Sequence, residues 1–421
     1  MRVQAKERRG AVAVLVAVFL FTIVGVVGLV LDGGLLRDQR RRVQASADAA
    51  ALAAGYDLYW NYASFGGTDV NGTARASAFT TANANGHTND GAKSIVTVNI
   101  PPTSGSFVGQ SGYVEVIVQY NQARGFSGVF GQGNLPARGR AVARGRWASF
   151  NNGILVLNPT DPNAFNSNGG GTVDVKNASI IVNSTDAAGG ISTGGSTIIA
   201  PEIYFGGSPG YSLSGGGTMT ATIYSNQPPT PDPLAYIPEP DPATMTLRSN
   251  NPTHISGKKD VILWPGVYKG GITVTGQGNV TLMPGVYYMD GGGFSYTGQG
   301  NLIANGVMIF NAPKSNSDVI NLSGLGSVTM SPPTSGTYQG ISLFQQRSST
   351  NTISLTGNGE MAVTGTFYTA GGTLAISGNG GGDVVGSQYI SYNLNLGGNG
   401  VINIDWNPEQ TAKKRLVGLV E

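Results

Sequence analysis

A seven-residue signature recurs through the second half of the sequence and limits the possible folds more than any other feature. It reads apolar, any residue, apolar, small or hydroxyl, Gly, any residue, Gly. Its copies begin at Tyr211, Ile272, Phe294, Ile320, Ile353, Leu374 and Leu394, so that their starts are 61, 22, 26, 33, 21 and 20 residues apart. A second element begins at Trp264, Met283 and Asn305, between copies of the first. A period near 21 residues with two short strand motifs in each period is typical of a parallel β-helix.

In such a solenoid the alternate apolar residues of each strand face inward and stack on the same residues one turn away. Glycines are expected to adopt corner conformations that a side chain disfavours, and Asn and Thr at corners to form hydrogen-bonded ladders. The gap of 61 residues is close to three periods. A β-sandwich is the alternative fold, but it gives no reason for a signature at a fixed period. The sequence therefore predicts a solenoid over residues 151–405.

Seven prolines between residues 226 and 242 interrupt the array. Proline at this density favours an extended polyproline segment over a strand. The segment is either a strap along the flank of the solenoid or a peptide that a partner recognises. Leu234, Tyr236 and Ile237 favour the strap, because they offer apolar surface to bury. Residues 406–421 are expected to cap the last turn, whose strands otherwise present an open edge.

An uncharged run of 21 residues extends from Ala11 to Leu31. At ~1.5 Å per residue, a helix of this length spans a ~30 Å hydrocarbon core. A cleaved signal sequence has a shorter apolar core with a cleavage site close behind it, and a buried core helix would not be apolar on every face. A single-pass membrane anchor, in contact with membrane lipid, is the preferred interpretation.

Basic residues flank both ends of this run. They are Arg2, Lys6, Arg8 and Arg9 on one side and Arg37, Arg40, Arg41 and Arg42 on the other. Because the counts are equal, the positive-inside rule does not decide the orientation. We expect a cytoplasmic N-terminus, since the first basic group adjoins the span directly. The C-terminal domains would then be periplasmic or extracellular.

The helical pattern continues beyond the span. An alanine-rich stripe favours helix up to Ala54, and Gly55 is expected to stop it. The stretch 8–14, the segment 25–34 and the alanine-rich sequence 43–54 resemble the N-terminal region of TadG-like proteins. These are membrane-anchored products of Flp (tight-adherence) pilus assembly loci in bacteria, so the resemblance implies a role in pilus assembly.

Two departures from that pattern bear on processing and metal binding. Pilins of the same system carry a glutamate five residues after the cleavage-site glycine, whereas Leu15 stands at that place after Gly10. TadG proteins often contain a metal-binding Asp-x-Ser-x-Ser loop, and this sequence has none. The resemblance therefore implies a membrane anchor, but neither cleavage by the prepilin peptidase nor a metal site. The C-terminal domain differs from the metal-binding domain that TadG proteins often carry.

Residues 56–150 are predicted to form a small α+β domain. A short helix is expected at Ala74–Ala84, and strands at Ser94–Ile100, Tyr113–Gln122 and Leu135–Trp147. Four arginines share one parity on the third strand and would project from one face, namely Arg138, Arg140, Arg144 and Arg146. They form either a cationic stripe for lipid or an acidic partner, or an ordinary solvated face.

Composition limits the available chemistry. Cysteine is absent, which excludes disulfides, thiol nucleophiles and cysteine metal ligands. His87 and His254 are the two histidines, and both are expected to be loop residues rather than general bases. The sequence contains no phosphate-binding loop, serine-nucleophile elbow or zinc-ligand spacing. We therefore expect no catalytic residue, no metal site, no cofactor and no nucleic-acid partner.

The sequence thus predicts a mainly β chain with an N-terminal transmembrane helix, a small α+β domain and a parallel β-helix domain. The predicted domains are 1–55 for the anchor and its helical extension, 56–150 for the α+β domain, 151–405 for the solenoid with its Pro-rich insert 226–242, and 406–421 for the cap. The first functional hypothesis is a non-catalytic structural component of Flp/Tad-type pilus assembly or cell-surface adhesion. Its partners would be pilus-assembly proteins or other copies of itself.

Two alternatives stay open. One is a membrane-tethered polysaccharide-active enzyme, because β-helices provide sites where carboxylates from neighbouring turns can converge. Asp290, Asp318 and Asp383 are the acids to test. The other is a surface module that binds a glycan without turnover, through an exposed aromatic row such as Tyr268, Tyr287 and Tyr288.

Overall fold

The computed structural model describes residues 9–357, 361–378 and 383–421. The chain divides into two compact units. The first unit contains the residues up to Ala148 together with Arg415–Glu421, and the second contains Ser149–Lys414. The chain therefore leaves the first unit, forms the second, and returns to the first.

Two helices, two short 3-10 turns and a long series of strands make up these units. Helix α1 spans Arg9–Phe65 and α2 spans Thr73–Ala84, and the 3-10 turns are Phe126–Phe130 and Pro242–Thr244. In chain order the strands are β1 (Ser94–Asn99), β2 (Tyr113–Gln122), β3 (Leu135–Ala148), β4 (Asn152–Val156), β5 (Phe165–Ser167), β6 (Thr172–Lys176), β7 (Ser179–Val182), β8 (Gly190–Ser192), β9 (Thr197–Phe205), β10 (Tyr211–Leu213), β11 (Thr218–Tyr224), β12 (Leu247–Ser249), β13 (Thr253–Ile255), β14 (Val261–Leu263), β15 (Gly266–Lys269), β16 (Ile272–Val274), β17 (Val280–Leu282), β18 (Gly285–Asp290), β19 (Phe294–Tyr296), β20 (Leu302–Ala304), β21 (Val307–Ala312), β22 (Ile320–Leu322), β23 (Val328–Met330), β24 (Ile341–Gln345), β25 (Ile353–Gly357), β26 (Met361–Val363), β27 (Thr366–Gly378), β28 (Asp383–Val385), β29 (Gln388–Gly398), β30 (Val401–Asp405) and β31 (Lys414–Leu419).

Helix α1 runs well beyond its predicted end. The prediction that Gly55 stops the helix is wrong, because α1 continues to Phe65. A Cβ atom placed on Gly55 would lie 3.1 Å from the Cβ of Ala143 on β3. The glycine therefore permits close approach between helix and sheet, rather than a left-handed stop.

The first unit is a four-stranded sheet in the order β1-β2-β3-β31, with α1 and α2 packed on it. Strands β1, β2 and β3 pair antiparallel. The prediction that 406–421 caps the last turn of the solenoid is wrong. Strand β31 extends this sheet instead, and the last turn is covered by strands β4, β5 and β6. Val142 N donates to Glu421 O, and Val420 N donates to Val142 O, each over 2.8 Å. These bonds tie the last residues to the first unit.

The second unit is a parallel solenoid of about eleven turns, which confirms the predicted fold class. A typical turn contributes one short strand to each of three sheets, here called faces 1, 2 and 3. Face 1 contains β12, β15, β18, β21, β24, β4 and β7, face 2 contains β13, β16, β19, β22, β25, β5, β8 and β10, and face 3 contains β14, β17, β20, β23, β26, β28, β30 and β6. Strands β27 and β29 bend from face 1 to face 2, and β9 and β11 bend from face 3 to face 1.

All seven copies of the sequence signature lie on face 2. Neighbouring copies pair in register, as where Ile272 lies opposite Phe294 and Val274 opposite Tyr296. In this interior pair the first and third residues are buried and the second is partly exposed. The signature is therefore the inward-facing core of one face, as the period predicts.

In the interior copies that begin at Ile272 and Phe294, the glycines of the signature provide clearance rather than an unusual backbone conformation. A Cβ atom on Gly298 would lie 2.6 Å from the carbonyl oxygen of Gly276, its equivalent one turn away, and neither residue adopts a positive φ. The second element behaves differently, because Gly285 and Gly306 have φ values of 139° and 71°. The predicted corner conformation thus applies to the second element, and also to Gly215 and Gly398 of the signature, whose φ values are 57° and 95°.

A polar ladder runs along one corner, as expected. Asp260 Oδ1 accepts from Asn279 N (2.8 Å), Asn279 Oδ1 from Asn301 N (3.0 Å), and Asn301 Oδ1 from Ser327 N (3.2 Å). Each side chain thus satisfies a backbone donor of the next turn.

The order of turns in space differs from their order in the sequence. The last strands of the array, β29 and β30, pair with the first ones, β4, β5 and β6. From there the stack continues to β10 and β11, here called the 211–224 end. The opposite end is formed by β12, β13 and β14, here called the 247–263 end. The 61-residue gap therefore does not hold three successive turns; between its two signatures the chain crosses from one end to the other.

The Pro-rich segment makes this crossing as a strap along face 1. A row of outward-facing apolar residues runs up that face, one from each turn. In spatial order the row is Leu247, Val267, Tyr288, Phe310, Phe344, Tyr368, Ile390, Leu155, Ile181, Tyr204 and Tyr224. Leu234 and Ile237 of the strap are buried against its central members. The sequence interpretation of a strap is confirmed.

The length of the strap suits this path. Turns about 4.8 Å apart place the two ends of the stack ~50 Å from each other. A polyproline chain rises ~3.1 Å per residue, so about 16 residues are enough for that distance. The segment between β11 and β12 runs from 225 to 246 and leaves slack for its turns.

Candidate functional site

The first half of α1 exposes apolar side chains on every face. Phe19 is 67% exposed and Phe21 66%, with valines and leucines between and around them. Among the described residues, α1 is the one helix long and apolar enough to cross a membrane. Because water would penalise such a surface, this half of α1 is the candidate membrane anchor. The basic residues Arg2, Lys6 and Arg8 lie outside the described residues.

A short turn of the first unit packs beside the end of the span. A Cβ atom on Gly28 would lie 2.7 Å from the Cβ of Phe126 in the turn Phe126–Phe130. Asp32 is 6% exposed, and its carboxylate accepts from Ser127 N over 2.7 Å and from Phe126 N over 3.3 Å. Phe126 itself is exposed. An aromatic side chain is thereby held level with the last turn of the apolar span, where interfacial aromatic residues are usual.

The second half of α1 lies against the small-residue face of β3. A Cβ atom on Gly139 would lie 2.8 Å from the backbone of Gln44, and one on Gly145 would overlap the carbonyl of Gly55. Gln44 also donates to Arg140 O over 2.8 Å. The Gly and Ala residues on the face of β3 opposite the arginines therefore allow helix α1 to approach the sheet closely. This pattern is visible in the sequence and could have predicted the packing.

The four arginines of β3 do not act as one stripe. Arg138 is exposed, whereas Arg140 Nε donates to Glu115 Oε1 over 2.6 Å and Arg140 Nη1 donates to Glu421 Oε2 over 2.7 Å. Arg146 lies over the ring of Tyr113, 5.8 Å from its centroid. These contacts agree with a structural role for Arg140 and Arg146.

Glu115 is a buried carboxylate of the first unit that several hydrogen bonds hold in place. Its side chain is fully buried, and burial by itself raises its pKa. Hydrogen bonds from Ser104, Asn99, Arg140 and Thr103 outweigh burial and lower the pKa to about 2. Glu115 is therefore a structural anion.

Two of the acids named for the enzymatic alternative lie near one lysine. Asp290 Oδ1 is 2.7 Å from Lys314 Nζ. Asp318 accepts from the backbone N–H groups of Lys314 and Ser315 and from the Ser315 hydroxyl, at 2.8 to 3.0 Å. Burial acts to raise the pKa of Asp318, but these hydrogen bonds dominate and lower it. An acid held ionised in this way orders a loop and is poorly suited to donate a proton. The side chain of Asp383, the third acid named, lies outside the described residues.

The aromatic row proposed for glycan stacking is buried. Tyr268 and Tyr287 stack inside the solenoid with centroids 6.0 Å apart, and their hydroxyls donate to Trp264 O and Leu263 O. Tyr288 lies in the row that the strap covers. The expectation of an exposed aromatic row is therefore wrong. Successive residues of a face 1 strand point to opposite sides of the sheet: Tyr287 points into the solenoid core, and Tyr288 points outward beneath the strap.

Among the residues that the structure describes, neither the histidines nor the groove beside the strap provides an acid–base pair. His87 is buried beside Tyr120, and burial lowers its pKa, while His254 is exposed on β13. A groove of about 420 Å³ beside the strap is lined by neutral residues that include Asn183, Tyr204 and Thr230. Within the described part of the chain, no cluster of three or more His, Asp or Glu is placed to hold a metal ion.

These features define a class of protein: a long apolar N-terminal helix, suited to membrane anchoring, followed by a β-solenoid. Residues 10–57 match the family model described as putative Flp pilus-assembly TadE/G-like. The matched segment coincides with most of α1 and confirms the resemblance found in its sequence, so this region suggests an association with Flp pilus assembly. No curated protein and no solved structure matches the chain.

Proposed function

We propose that this protein is a non-catalytic, membrane-anchored structural component of a Tad-type pilus assembly or surface-adhesion apparatus. The observation that carries the proposal is the TadE/G-like match over residues 10–57. This segment provides both the apolar span and the part of α1 that packs on the sheet of the first unit. The solenoid would act as a structural body and not as an enzyme. Its partners would be pilus-assembly proteins.

The proposed topology places the N-terminus in the cytoplasm and the solenoid outside it. Because the chain has no cysteine, a single Lys258→Cys variant reports the location of the solenoid cleanly. We expect a membrane-impermeant maleimide to label this variant in spheroplasts without lysis. Labelling that requires lysis would reverse the topology.

Gene deletion with complementation tests the role itself. We expect deletion to reduce surface pili and attachment, and the full chain to restore both. A chain with Asp290→Asn and Asp318→Asn together should also restore both if no reaction is involved. Unchanged piliation and attachment after deletion would contradict the proposal, and product released from uronate polymers by the purified protein would contradict its non-catalytic part.

A further inference from the structure

The two ends of the solenoid are protected very differently. At the 247–263 end, three cations (Arg248, Lys258 and Lys259) and one acid (Asp260) are exposed, and Pro252 precedes β13. Lysine and proline at a sheet edge are common means by which proteins prevent edge-to-edge pairing. This end therefore has the features of a terminus that stays unpaired.

The 211–224 end lacks such charged residues, although Pro209 lies two residues before β10. No charged residue occurs between Ile203 and Pro231. Within the described part of the chain, strands β10 and β11 each pair with a strand on one side only, β8 and β9 respectively. An uncharged open edge presents unpaired backbone N–H and C=O groups to any strand that can reach it.

The core is also incompletely covered at this end. Ile198 and Ile203 on β9 are fully buried, whereas Met219 and Ile223, their register partners on β11, are only partly buried. Leu213 on β10 is 45% exposed. One further layer of strands would remove this apolar surface from water, as each interior turn does for its neighbour.

We propose that the 211–224 end pairs edge to edge with the same end of a second copy of this chain. A neutral surface placed against itself opposes no like charges. A self-pair of the 247–263 end would instead bring together two surfaces that each carry three cations and one acid. Because the same end of each copy is in the interface, the result is a closed two-fold dimer. The 247–263 end of each copy is then left free and ends the assembly. The two-fold axis makes the strands antiparallel at the junction, in contrast to the parallel pairing within each stack.

A charged residue on the unprotected edge tests the proposal against a matched control. Thr220 and Thr329 are both exposed on face 3 and belong to the same outward row, the first at the 211–224 end and the second in mid-stack. We expect Thr220→Lys to weaken self-association of the full chain in detergent by about tenfold or more, and Thr329→Lys to leave it unchanged. Mass would be measured by light scattering across a concentration series. Equal self-association of all three proteins would overturn the proposal.

Cross-linking identifies which ends meet. The natural chain lacks cysteine, so Ser212→Cys and Thr222→Cys each place one thiol on the 211–224 end. With a flexible bis-maleimide, we expect each variant to form a covalent dimer and Lys258→Cys to remain monomeric. A product formed only on mixing Ser212→Cys with Lys258→Cys would indicate head-to-tail stacking and overturn the proposal. Loss of the dimer in Thr220→Lys with normal piliation would leave the proposed pilus role intact, so the two proposals can fail separately.

Discussion

A single buried carboxylate joins distant parts of the first unit. Glu115 on β2 accepts from Arg140 on β3, which also contacts Glu421. A buried ion that loses its partner is costly, while a satisfied one fixes the geometry around it. Glu115 therefore determines how the edge of the sheet holds the last residues of the chain.

Acid should weaken the first unit through this residue. The folded pKa of about 2 lies below the ordinary 4.5, so the stabilisation is present above pH ~4.5 and is lost as the pH falls towards 2. We expect Glu115→Gln to lower the free energy of unfolding by about 2 kcal/mol at pH 7, and its difference from wild type to shrink below pH ~4. Urea unfolding would be followed by tryptophan fluorescence, with Trp264 and Trp406 of the solenoid changed to Phe.

The matched control for this experiment is Glu409→Gln, an exposed acid in the second unit. It should leave the unfolding of the first unit unchanged at every pH. A difference between wild type and Glu115→Gln that stays constant from pH 7 to pH 3 would show that the residue acts by packing alone.

At the scale of elements, the strap is held by an arginine as well as by burial. Arg347 Nη2 donates to Leu234 O and Ile237 O over 2.8 and 2.7 Å, and its backbone N–H donates to Glu239 over 2.9 Å. Its Nε donates to the hydroxyl of Tyr368. The side chain of Arg347 thus provides hydrogen-bond donors to the carbonyl groups of Leu234 and Ile237. These carbonyls lie in a proline-rich segment that forms no sheet pairing of its own.

Removing that arginine should loosen the strap without unfolding the stack. We expect Arg347→Ala to increase cleavage by chymotrypsin at Tyr236 by about tenfold and to lower the free energy of unfolding by about 3 kcal/mol, because several charge-assisted hydrogen bonds are lost. Arg248→Ala, at the exposed 247–263 end, is the control. Equal cleavage rates in the two variants would mean that burial of Leu234 and Ile237 is sufficient.

The strands of the solenoid are predictable from the sequence where a local pattern is compatible with only one structure. The seven signatures mark face 2 because inward alternation and glycine clearance act within one turn and its neighbour. The turns that the strap crosses and the burial of Tyr288 could not be predicted, because they depend on the order in which the turns stack in space. The docking of α1 could have been inferred from the Gly and Ala face of β3, but the arginines of the same strand drew the interpretation towards charge. The enzymatic acids illustrate the same limit, because Asp318 and Asp290 lie near Lys314 through a loop whose shape no spacing predicts.

At the scale of the whole molecule, the stack is assembled in an order that differs from the chain. The turns of 152–224 lie on the turn 388–405, and not on 247–263. No period or propensity distinguishes these two arrangements, because every turn offers similar apolar edges to its neighbours. The proline content of the strap is the one sequence feature that indicated a break in the array.

A disulfide can report this order directly. Asn166 and Asn395 are outward-facing partners on adjacent turns of face 2, and neighbouring strands at ~4.8 Å place two cysteines within bonding range. We expect the Asn166→Cys, Asn395→Cys double variant to form an intramolecular disulfide under mild oxidation. Ser212→Cys with His254→Cys should form none within one chain, because those residues lie at opposite ends. The reverse result would mean that turns stack in sequence order.

The chain joins and leaves the solenoid at neighbouring points. Lys413 Nζ donates to the hydroxyl of Ser149 over 2.9 Å, so the second unit is an insertion whose two termini nearly touch. A body attached in this way can be lengthened by whole coils, shortened or exchanged for an unrelated fold while the first unit keeps its own final strand. Related proteins would then be expected to share the first unit and to differ freely in the domain inserted into it.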